Sequence, residues 1–583
     1  MTINTGTVIR QRLKRCGKNM CSVKTLKKRL PIIEWLPKYS VSFLIQDVIA
    51  GITVGLTAIP QGIAYAVIAG LPPAYGLYGS LTTGIVYMIF GSCKSVTVGP
   101  TAIISTLTGK YVSGYSPDFA VLAAFLTGIV QLIMGIFKLG FLVQFISMPV
   151  INGFTTASAM QIAASQLKPL LGLSGSSGHN FRESIGNFFV NFTTLQLWDS
   201  VFGFTTIAIL ILLKKAGDGC KRTDRLLKRI RWFISLSRNA VVVVIGIAAA
   251  YIIKIRWDSE PAALIGEIGK GLPSFGLPPF SSVVGNETYN FVEMLEVLGA
   301  KAIILPLVGI LESVAIAKAF ADGLQVDATQ ELIALGLCNV VGSFASSMPV
   351  TGSFTRTALN HASGVQTQAG GIVCVIIIVT ALTLLTYTFT FIPKATLAGL
   401  IITAMFYMLH ADIVVRLWKF TKREFFLFIF TILICLFVGL EYGIISGIIM
   451  EAAMLMYITA RPTVDVDTIK NESGEFIVLS LTDRVAYCAA EHVRKIIIDL
   501  SFTTDATAVL VVDGSNLRSM DITVADNLAS AAIDFEKGGR KILFSNFDPH
   551  LKDMCIDINP IVKSCFVSTS NLDELTAAIY KEV

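Results

Sequence analysis

Charged residues are scarce in this sequence. Asp, Glu, Lys and Arg make up 15% of its 583 residues, whereas hydrophobic residues make up 53%. A soluble globular chain carries about 25% charged residues. The mean hydropathy is +0.68. This deficit excludes an ordinary soluble protein over most of the chain and indicates a polytopic protein of the lipid bilayer.

The motifs of enzymes and metal proteins are missing as well. The ten cysteines are scattered, with no C-x-x-C and no Cys/His pairs at zinc spacing. No P-loop and no nucleophile–base set is present. We therefore predict that the chain is not an enzyme, and we predict no cofactor, no metal site and no disulfide framework.

Acidic residues are absent before Glu34, whereas Lys and Arg recur from Arg10 to Arg29. An excess of Lys and Arg marks the cytoplasmic flanks of membrane spans. We interpret residues 1–40 as a cytoplasmic basic segment, to which attraction to anionic lipid could add. Nucleic-acid binding is the alternative, and the apolar run that follows directly argues against it.

Apolar runs of about 20 residues, the length that crosses a bilayer, recur along residues 41–461. The predicted spans are 47–69, 74–92, 119–139, 141–167, 199–213, 239–255, 296–321, 330–347, 369–387, 391–412, 423–440 and 442–460. Two further segments, 100–113 and 353–363, are too short to cross alone. Together they predict an all-α transmembrane domain of 14 segments.

The loop between Leu213 and Val241 is rich in Lys and Arg, which predicts a cytoplasmic position. The long loops before and after it, 173–197 and 255–294, are then external. Each contains a glycosylation sequon, at Asn191 and at Asn286, in keeping with that orientation.

The composition changes after Pro462, where apolar runs become short and charged residues common. Strands alternate there with helices, which predicts a small cytoplasmic α/β domain over 462–583. The predicted strands are 476–481, 508–512, 541–545 and 565–568, and the predicted helices are 487–499, 522–535, 549–558 and 571–581, with Asp521 or Thr523 near the N-cap of the second helix.

The two short apolar segments follow Val98-Gly-Pro-Thr101 and Thr351-Gly-Ser353, in similar places in two halves of the chain. Such paired, interrupted segments point to a transporter site between inverted repeats. Two re-entrant loops with a purely structural role are the alternative. Helix N-termini at these breaks would present free amides to an anion, and Arg356 would add a formal charge. The expected donors are the amides of Thr101, Ala102, Ile103, Phe354 and Thr355, with Ser353 beside them.

Two polar side chains of the first span, Gln61 and Tyr65, are spaced i, i+4 and so lie on one face of a helix that Pro60 and Gly62 loosen. They offer an amide and a phenol to a ligand. Alternatively, they bond neighbouring helices across a kink.

Glu312 lies inside an apolar helix, where Lys318, at i+6, is on a different face. Arg356 is therefore the expected partner. Burial favours the neutral carboxyl and Arg356 favours the charged one, so Glu312 is a candidate for proton coupling. A static ion pair with Arg356 is the alternative.

These stretches together resemble the sulfate permease family, also called SulP or solute carrier family 26, over roughly residues 30–583. The motifs that carry the resemblance are Asp47-Val-Ile-Ala-Gly-Ile-Thr-Val-Gly-Leu56, Ile59-Pro-Gln-Gly-Ile-Ala-Tyr65, Gly70-Leu-Pro-Pro-Ala-Tyr-Gly-Leu-Tyr78, Val98-Gly-Pro-Thr101, Leu311-Glu-Ser313 and Thr351-Gly-Ser-Phe-Thr-Arg356. Within the family they look like the sodium-independent sulfate transporters.

The resemblance implies a 7+7 inverted repeat with a UraA-like core (elements 1–4 and 8–11) moving against a gate, a homodimer, and a C-terminal STAS domain. It also implies an anion site lined by Gln61, Tyr65, Thr101, Phe354, Thr355 and Arg356, with Glu312 matching a glutamate linked to proton-coupled transport. In STAS domains a phosphorylated serine often follows the Asp at one helix start. Here that position is Ile522, which cannot be phosphorylated and leaves dimerisation and trafficking as the expected role.

The sequence thus predicts a sodium-independent secondary active transporter of sulfate, working by elevator-type alternating access, with exchange for chloride, bicarbonate or oxalate, or with proton coupling. The alternatives are an uncoupled chloride channel and a membrane sensor that signals through its cytoplasmic domain. The expected location is the plasma membrane, with lysosomal or other internal membranes as the alternative.

Overall fold

The structure is a computed structural model that describes most of the chain. The described residues are 27–141, 146–175, 178, 180–218, 237–257, 262–266, 271–321, 326–409, 411–471, 474–481, 484–503 and 508–567. The basic residues before position 27, the centre of the basic loop (219–236) and the predicted helix 571–581 lie outside them. The chain divides into two compact units after Ile448.

The first unit is helical. Its longer helices are α1 (Val41–Ile68), α2 (Pro73–Phe90), α3 (Ala102–Val112), α4 (Pro117–Ile136), α5 (Met148–Ser165), α6 (Phe181–Asn191), α7 (Leu197–Asp218), α8 (Arg238–Trp257), α9 (Phe291–Leu298), α10 (Lys301–Ala319), α11 (Ala328–Ser343), α12 (Phe354–Ala362), α13 (Gly370–Leu384), α14 (Lys394–Met408), α15 (Ala411–Phe420), α16 (Lys422–Phe437) and α17 (Leu440–Ala460). Short helices cover Ile32–Trp35, Leu167–Leu171 and Thr386–Phe389.

Seven helical stretches of the described residues are long and apolar enough to cross a membrane. They are Val41–Ile68, Pro117–Ile136, Leu197–Lys215, Arg238–Arg256, Lys301–Ala319, Lys394–Phe420 and Leu440–Ala460. Each of the twelve predicted spans coincides with at least one helix, and the two short segments form α3 and α12. The count of 14 crossings stays a prediction.

The two predicted external loops contain regular structure. The first carries α6, and the second carries a hairpin of β2 (Ser281–Val284) and β3 (Glu287–Asn290) followed by α9. A capping box starts α9, since Asn290 and Glu293 bond each other's backbone amides. The hairpin strands, Ser-Ser-Val-Val and Glu-Thr-Tyr-Asn, contain few apolar residues and were not predicted.

The helices of the first unit pack in two groups. In the first group, α1 and α2 pack on each other and on α13, α4 packs on α10 and α11, and α3 and α12 both contact α1. In the second group, α16 packs on α5, and α14 packs on α5, α7 and α8. Helix α17 belongs to the second group, because a Cβ on its Gly447 would lie 2.8 Å from Val150 of α5 and 3.0 Å from Thr431 of α16.

Two short strands join the halves of the first group. Strand β1 (Val98–Gly99) precedes α3, and β4 (Thr351–Gly352) precedes α12. They pair antiparallel, with Val98 opposite Gly352 and Gly99 opposite Thr351. This pairing brings the starts of the two short helices together.

The second unit is an α/β domain. Its sheet runs β11 (Phe566–Val567), β10 (Ile542–Ser545), β8 (Val509–Asp513), β6 (Gly474–Ser480) and β5 (Asp465–Asn471), parallel except for the antiparallel edge strand β5. A separate pair joins β7 (Arg484–Val485) to β9 (Ser519–Met520). The helices are α18 (Ala490–Thr503), α19 (Ile522–Lys537) and α20 (Pro549–Ile558).

The predicted strands and three of the four predicted helices of this unit are present within a few residues of their expected bounds, whereas β5 was not predicted. Its polar sequence, Asp-Val-Asp-Thr-Ile-Lys-Asn, suits an edge strand and carries little apolar signal. Asp521 is the N-cap residue of α19 but makes no side-chain capping bond. Its carboxylate instead accepts a hydrogen bond from the amide of Tyr487 at 2.8 Å.

Candidate functional site

The starts of α3 and α12 form the centre of the candidate site. Beyond the β1–β4 pairing, the amide of Ser353 donates to the carbonyl oxygen of Thr97 at 2.9 Å. The first turn of any helix leaves backbone N–H groups without intrahelical partners, at the positive end of the helix dipole. Two such ends therefore lie side by side, each suited to an anion.

Two glycines allow this close approach. A Cβ on Gly99 would lie 2.8 Å from Arg356 Nη2 and 3.0 Å from the hydroxyl of Ser80. A Cβ on Gly352 would lie 3.1 Å from the Ser313 hydroxyl. Larger residues would push the strands or the guanidinium away, so the glycines are needed for packing at this point.

Hydrogen bonds to α10 and α11 hold strand β4 in place. Asn339 donates to the carbonyl oxygen of Val350 at 3.0 Å, and its own amide oxygen accepts from the Val350 N–H at 2.9 Å. Thr351 donates through its hydroxyl to the carbonyl oxygen of Gly309 at 2.6 Å. The strand before α12 is thus held by helices α10 and α11.

Arg356 is the third residue of α12 and is only 1% exposed. Its Nη2 donates to the carbonyl oxygen of Pro100 at 2.8 Å. Its Nη1 is buried and has no hydrogen-bond partner among the residues that the structure describes. A buried cation with an unused donor is costly unless something pairs with it. The guanidinium therefore has a donor available for an anion.

Glu312 does not form the expected ion pair with Arg356. Its Oε2 instead accepts a hydrogen bond from the hydroxyl of Thr101 at 3.2 Å. Within the part of the chain that the structure describes, Glu312 and Arg356 share no ion pair. Each charge is bonded instead to one of two consecutive residues, Arg356 to Pro100 and Glu312 to Thr101.

Gln61 and Tyr65 also reach this place. Gln61 is fully buried, and its amide nitrogen donates to the Thr355 hydroxyl at 3.4 Å. Its amide oxygen has no partner within the described part of the chain. The Thr355 hydroxyl is 3.4 Å from that of Ser353. Tyr65 is 2% exposed and interacts electrostatically with both Arg356 and Glu312. Gln61 thus bonds the neighbouring helix α12, as one of its two interpretations predicted. That bond lies at the candidate site itself.

Three cavities adjoin these residues. The smallest, of about 40 Å³, has Ser80, Val98 and Arg356 in its wall, and the two larger ones lie beside the other site residues. One, of about 150 Å³, is lined by Gln61, Phe354 and Thr355 together with Lys214 and Tyr407. The other, of about 270 Å³, has Glu312 and Phe354 in a largely apolar wall. Phe354 lines both of these larger cavities.

The basic wall of the 150 Å³ cavity was not predicted from the sequence. Lys214 and Arg238 line it, and the Lys214 ammonium lies 3.2 Å from the centre of the Tyr407 ring. Both basic residues belong to the Lys- and Arg-rich stretch whose charge predicts a cytoplasmic loop. Their positions at the facing ends of α7 and α8, where an apolar span meets the loop, were the available signal.

The remaining predicted residues are Ala102, which lies at the site, and the two glycosylation sequons, which do not. Ala102 is buried at the start of α3, beside Thr101, whose hydroxyl is 3.5 Å from the Ile104 amide. The two sequons lie elsewhere. Asn286 is exposed in the two-residue turn between β2 and β3, whereas Asn191 ends α6 and donates to the carbonyl of Asn187 at 2.9 Å.

Comparison with known proteins gives consistent matches. The model of the sulfate permease family matches residues 44–431. The sodium-independent sulfate anion transporter of Bos taurus is 38% identical over 527 residues, covering 89% of this chain and 86% of that protein. A probable sulfate permease of Schizosaccharomyces pombe is 32% identical over 460 residues, and there the match covers 75% of this chain and half (50%) of the yeast protein.

A solved structure has the same fold. The murine solute carrier 26 family member A9 anion transporter in the inward-facing state matches 96% of this chain and 96% of its own, with a TM-score of 0.81 at 21% identity. The named relatives are transporters and permeases, not enzymes.

Proposed function

This chain belongs to the sulfate permease family, and from that premise we propose that it is a sodium-independent secondary active transporter of sulfate and related small anions. The observation that carries the proposal is the pair of helix starts at β1 and β4 with the unused Nη1 of the buried Arg356 beside them. Donors without acceptors, around one fixed positive charge, need an anion and no accompanying metal cation.

The proposed binding set gathers donors from three helices. Gln61 and Tyr65 of α1 supply an amide and a phenol, and the first turns of α3 and α12 supply backbone N–H groups. A tetrahedral oxyanion has four oxygens that can each accept from several donors. The full proposed set is Gln61, Tyr65, Thr101, Ala102, Ser353, Phe354, Thr355 and Arg356.

Elevator-type alternating access is the proposed mechanism. The proposed ligands all come from the first helix group, on α1, α3 and α12. The facing wall of the 150 Å³ cavity comes from the second group, at Lys214, Leu400 and Tyr407. Movement of the first group against the second would therefore carry the anion without dismantling its ligands. The two groups correspond to the core and gate that the family resemblance implies.

Glu312 is proposed to couple protons or counter-ions to the anion. Its carboxylate accepts from Thr101, one of the proposed anion ligands. A sulfate dianion at the site would repel the carboxylate and favour its protonation. The protein would then take up a proton with sulfate, or would exchange sulfate for chloride, bicarbonate or oxalate when the carboxylate stays charged.

Assembly and location complete the proposal. We expect a homodimer in the plasma membrane or in an internal membrane, with the N-terminus and the α/β unit, proposed to be a STAS domain, in the cytoplasm. The even number of predicted crossings before residue 462 supports a cytoplasmic position for that unit.

The test is flux of labelled sulfate into proteoliposomes, with internal chloride, external pH and sodium varied separately. Uptake that depends on internal anions or on a pH gradient, and not on sodium, is the expected result. Currents that reverse at the chloride potential without sulfate flux would favour an uncoupled channel. Intact transport in a protein lacking residues 462–583, together with loss of a cellular response, would favour a sensor.

A further inference from the structure

A second cavity with a basic lining lies at the other end of the helices that carry the proposed site. Its volume is about 540 Å³. The residues that matter here are Ala64 and Ile68 of α1, Thr106 and Lys110 of α3, Lys168, and Lys394 of α14. Since α1 starts at the predicted cytoplasmic side, the cavity lies at the external end. We call it the outer cavity.

The outer cavity adjoins the proposed anion site along two helices. Ala64 precedes the site residue Tyr65, and Thr106 follows Thr101 by little more than one turn of α3. The Thr106 hydroxyl donates to the carbonyl oxygen of Ala102 at 2.8 Å, within that turn. The outer cavity and the proposed site therefore share walls formed by α1 and α3.

The charge of the outer cavity is positive. No Asp or Glu belongs to the described residues that line it, whereas three lysines do. Lys168 donates to the carbonyl oxygen of Gly175, which leaves its charge uncompensated by that bond. Lys394 interacts electrostatically with the buried Asp199. Lys110 pairs with Glu441, so three positive charges face two negative ones.

The Lys110–Glu441 bond joins the two helix groups. Lys110 belongs to α3 of the first group, and Glu441 lies in the first turn of the last helix, α17, of the second. Lys110 Nζ lies 2.6 Å from Glu441 Oε1, and the two side chains are 28% and 9% exposed. An incoming anion would therefore compete with Glu441 for the Lys110 ammonium. Of these two partners, only Glu441 links α3 to the second helix group.

We propose that the outer cavity is an external binding site for a tetrahedral oxyanion such as sulfate, and that the bound anion replaces Glu441 as the partner of Lys110. The exchange breaks this one contact between the helix groups, which also meet where α1 packs on α8 and α14. The inference rests on the proposed transport function and adds an earlier binding step to it. A dianion offers the lysine more negative charge than one carboxylate, and the partial exposure of Lys110 leaves room for the exchange.

Side-specific flux kinetics test the proposal. Uptake of labelled sulfate is measured against external sulfate, and efflux against internal sulfate, in Lys110→Gln, Lys394→Gln and Glu441→Gln proteins. We expect Lys110→Gln and Lys394→Gln to raise the external half-saturation concentration at least threefold. Glu441→Gln removes the competitor and should lower it at least twofold. In each variant the external value should shift more than the internal one.

Two controls separate charge from structure. Lys110→Arg keeps the charge and should keep the external half-saturation concentration within twofold of the wild type. Lys254→Gln removes a lysine near the external end of α8 that does not line the outer cavity, and should shift neither value. A general effect of surface charge would move the Lys254→Gln protein as well.

Opposite shifts in the Lys110→Gln and Glu441→Gln proteins are the decisive result. If both substitutions lower the external half-saturation concentration, the Lys110–Glu441 bond only holds the helix groups together, and the proposed outer site is rejected. Unchanged external kinetics in the Lys110→Gln and Lys394→Gln proteins overturn it equally. Neither result touches the proposed function, which fails separately if the wild-type protein moves no sulfate. In that case the outer site is tested by the stabilisation that sulfate gives to the purified Arg356→Ala protein. Stabilisation that is lost when Lys110→Gln and Lys394→Gln are added supports the outer site. No stabilisation of the Arg356→Ala protein rejects it.

Discussion

Arg356 and Glu312 are linked through one pair of consecutive residues and not through each other. The guanidinium donates to the carbonyl oxygen of Pro100 at 2.8 Å, and the carboxylate accepts from the hydroxyl of Thr101 at 3.2 Å. A change in the charge of either group therefore acts on the start of α3, which supplies proposed ligands of the anion. A direct ion pair would have neutralised the site, whereas this arrangement leaves Nη1 of Arg356 without a partner.

We expect Arg356→Ala to lower sulfate affinity roughly tenfold to a hundredfold, because a hydrogen bond to a charged group contributes about 1.5–3 kcal/mol. The measurement is sulfate binding to purified protein by calorimetry. Arg356→Lys retains the charge without the planar fork and should show a smaller loss. An Arg356→Ala protein that binds sulfate like the wild type would refute the site.

Glu312→Gln should remove the pH dependence of sulfate flux while sulfate binding persists, because the amide cannot exchange a proton and can still accept from Thr101. Flux is measured over external pH at constant internal pH. Glu331→Gln is the matched control, since Glu331 is a buried carboxylate bonded to Tyr87 and Ser92 of the first unit. Wild-type pH dependence in the Glu312→Gln protein would show that the proton role is wrong.

Gly99→Ala should weaken sulfate binding, because the added Cβ would lie 2.8 Å from Arg356 Nη2 and must displace the guanidinium or the strand. We expect a loss of thermal stability as well, of about 1–3 kcal/mol, in the range of overpacking. Gly186→Ala in α6 is the matched control, because a Cβ there has nothing within 4 Å. It should bind sulfate normally and gain about 0.5–1 kcal/mol from the helix. Equal behaviour of the two variants would argue against the close packing at Gly99.

A glycan is expected at Asn286 and not at Asn191 when the protein is made in a eukaryotic cell. Asn286 is exposed in a hairpin turn, whereas Asn191 is bonded within its helix. Gel mobility after glycosidase treatment of Asn286→Gln and Asn191→Gln proteins gives the measurement. If only the Asn191→Gln protein loses the glycan, the assignment is reversed. A wild-type chain that carries no glycan at all would leave the predicted external position of both loops unsupported.

Much of the fold could be predicted because it depends on local pattern. Apolar runs mark the helices of the first unit, and the Gly and Pro residues at 99, 100 and 352 mark the two breaks. The polar, seven-residue strand β5 and the short external hairpin were not predicted, since their residues carry no regular apolar alternation. The candidate site was predictable in part, because Gln61, Thr101, Thr355 and Arg356 stand at the breaks themselves.

The sequence by itself determined which segments are apolar enough for a membrane, where the two short helices begin, and that a positive charge follows the second break. The tertiary structure alone decided the partner of Glu312, the addition of Lys214 and Arg238 to the cavity wall, and the meeting of Lys110 with Glu441. The physical reason is that helix propensity and hydropathy act over neighbouring residues. Contacts between residues far apart in the chain depend instead on the register of β1 with β4 and on how the two helix groups pack.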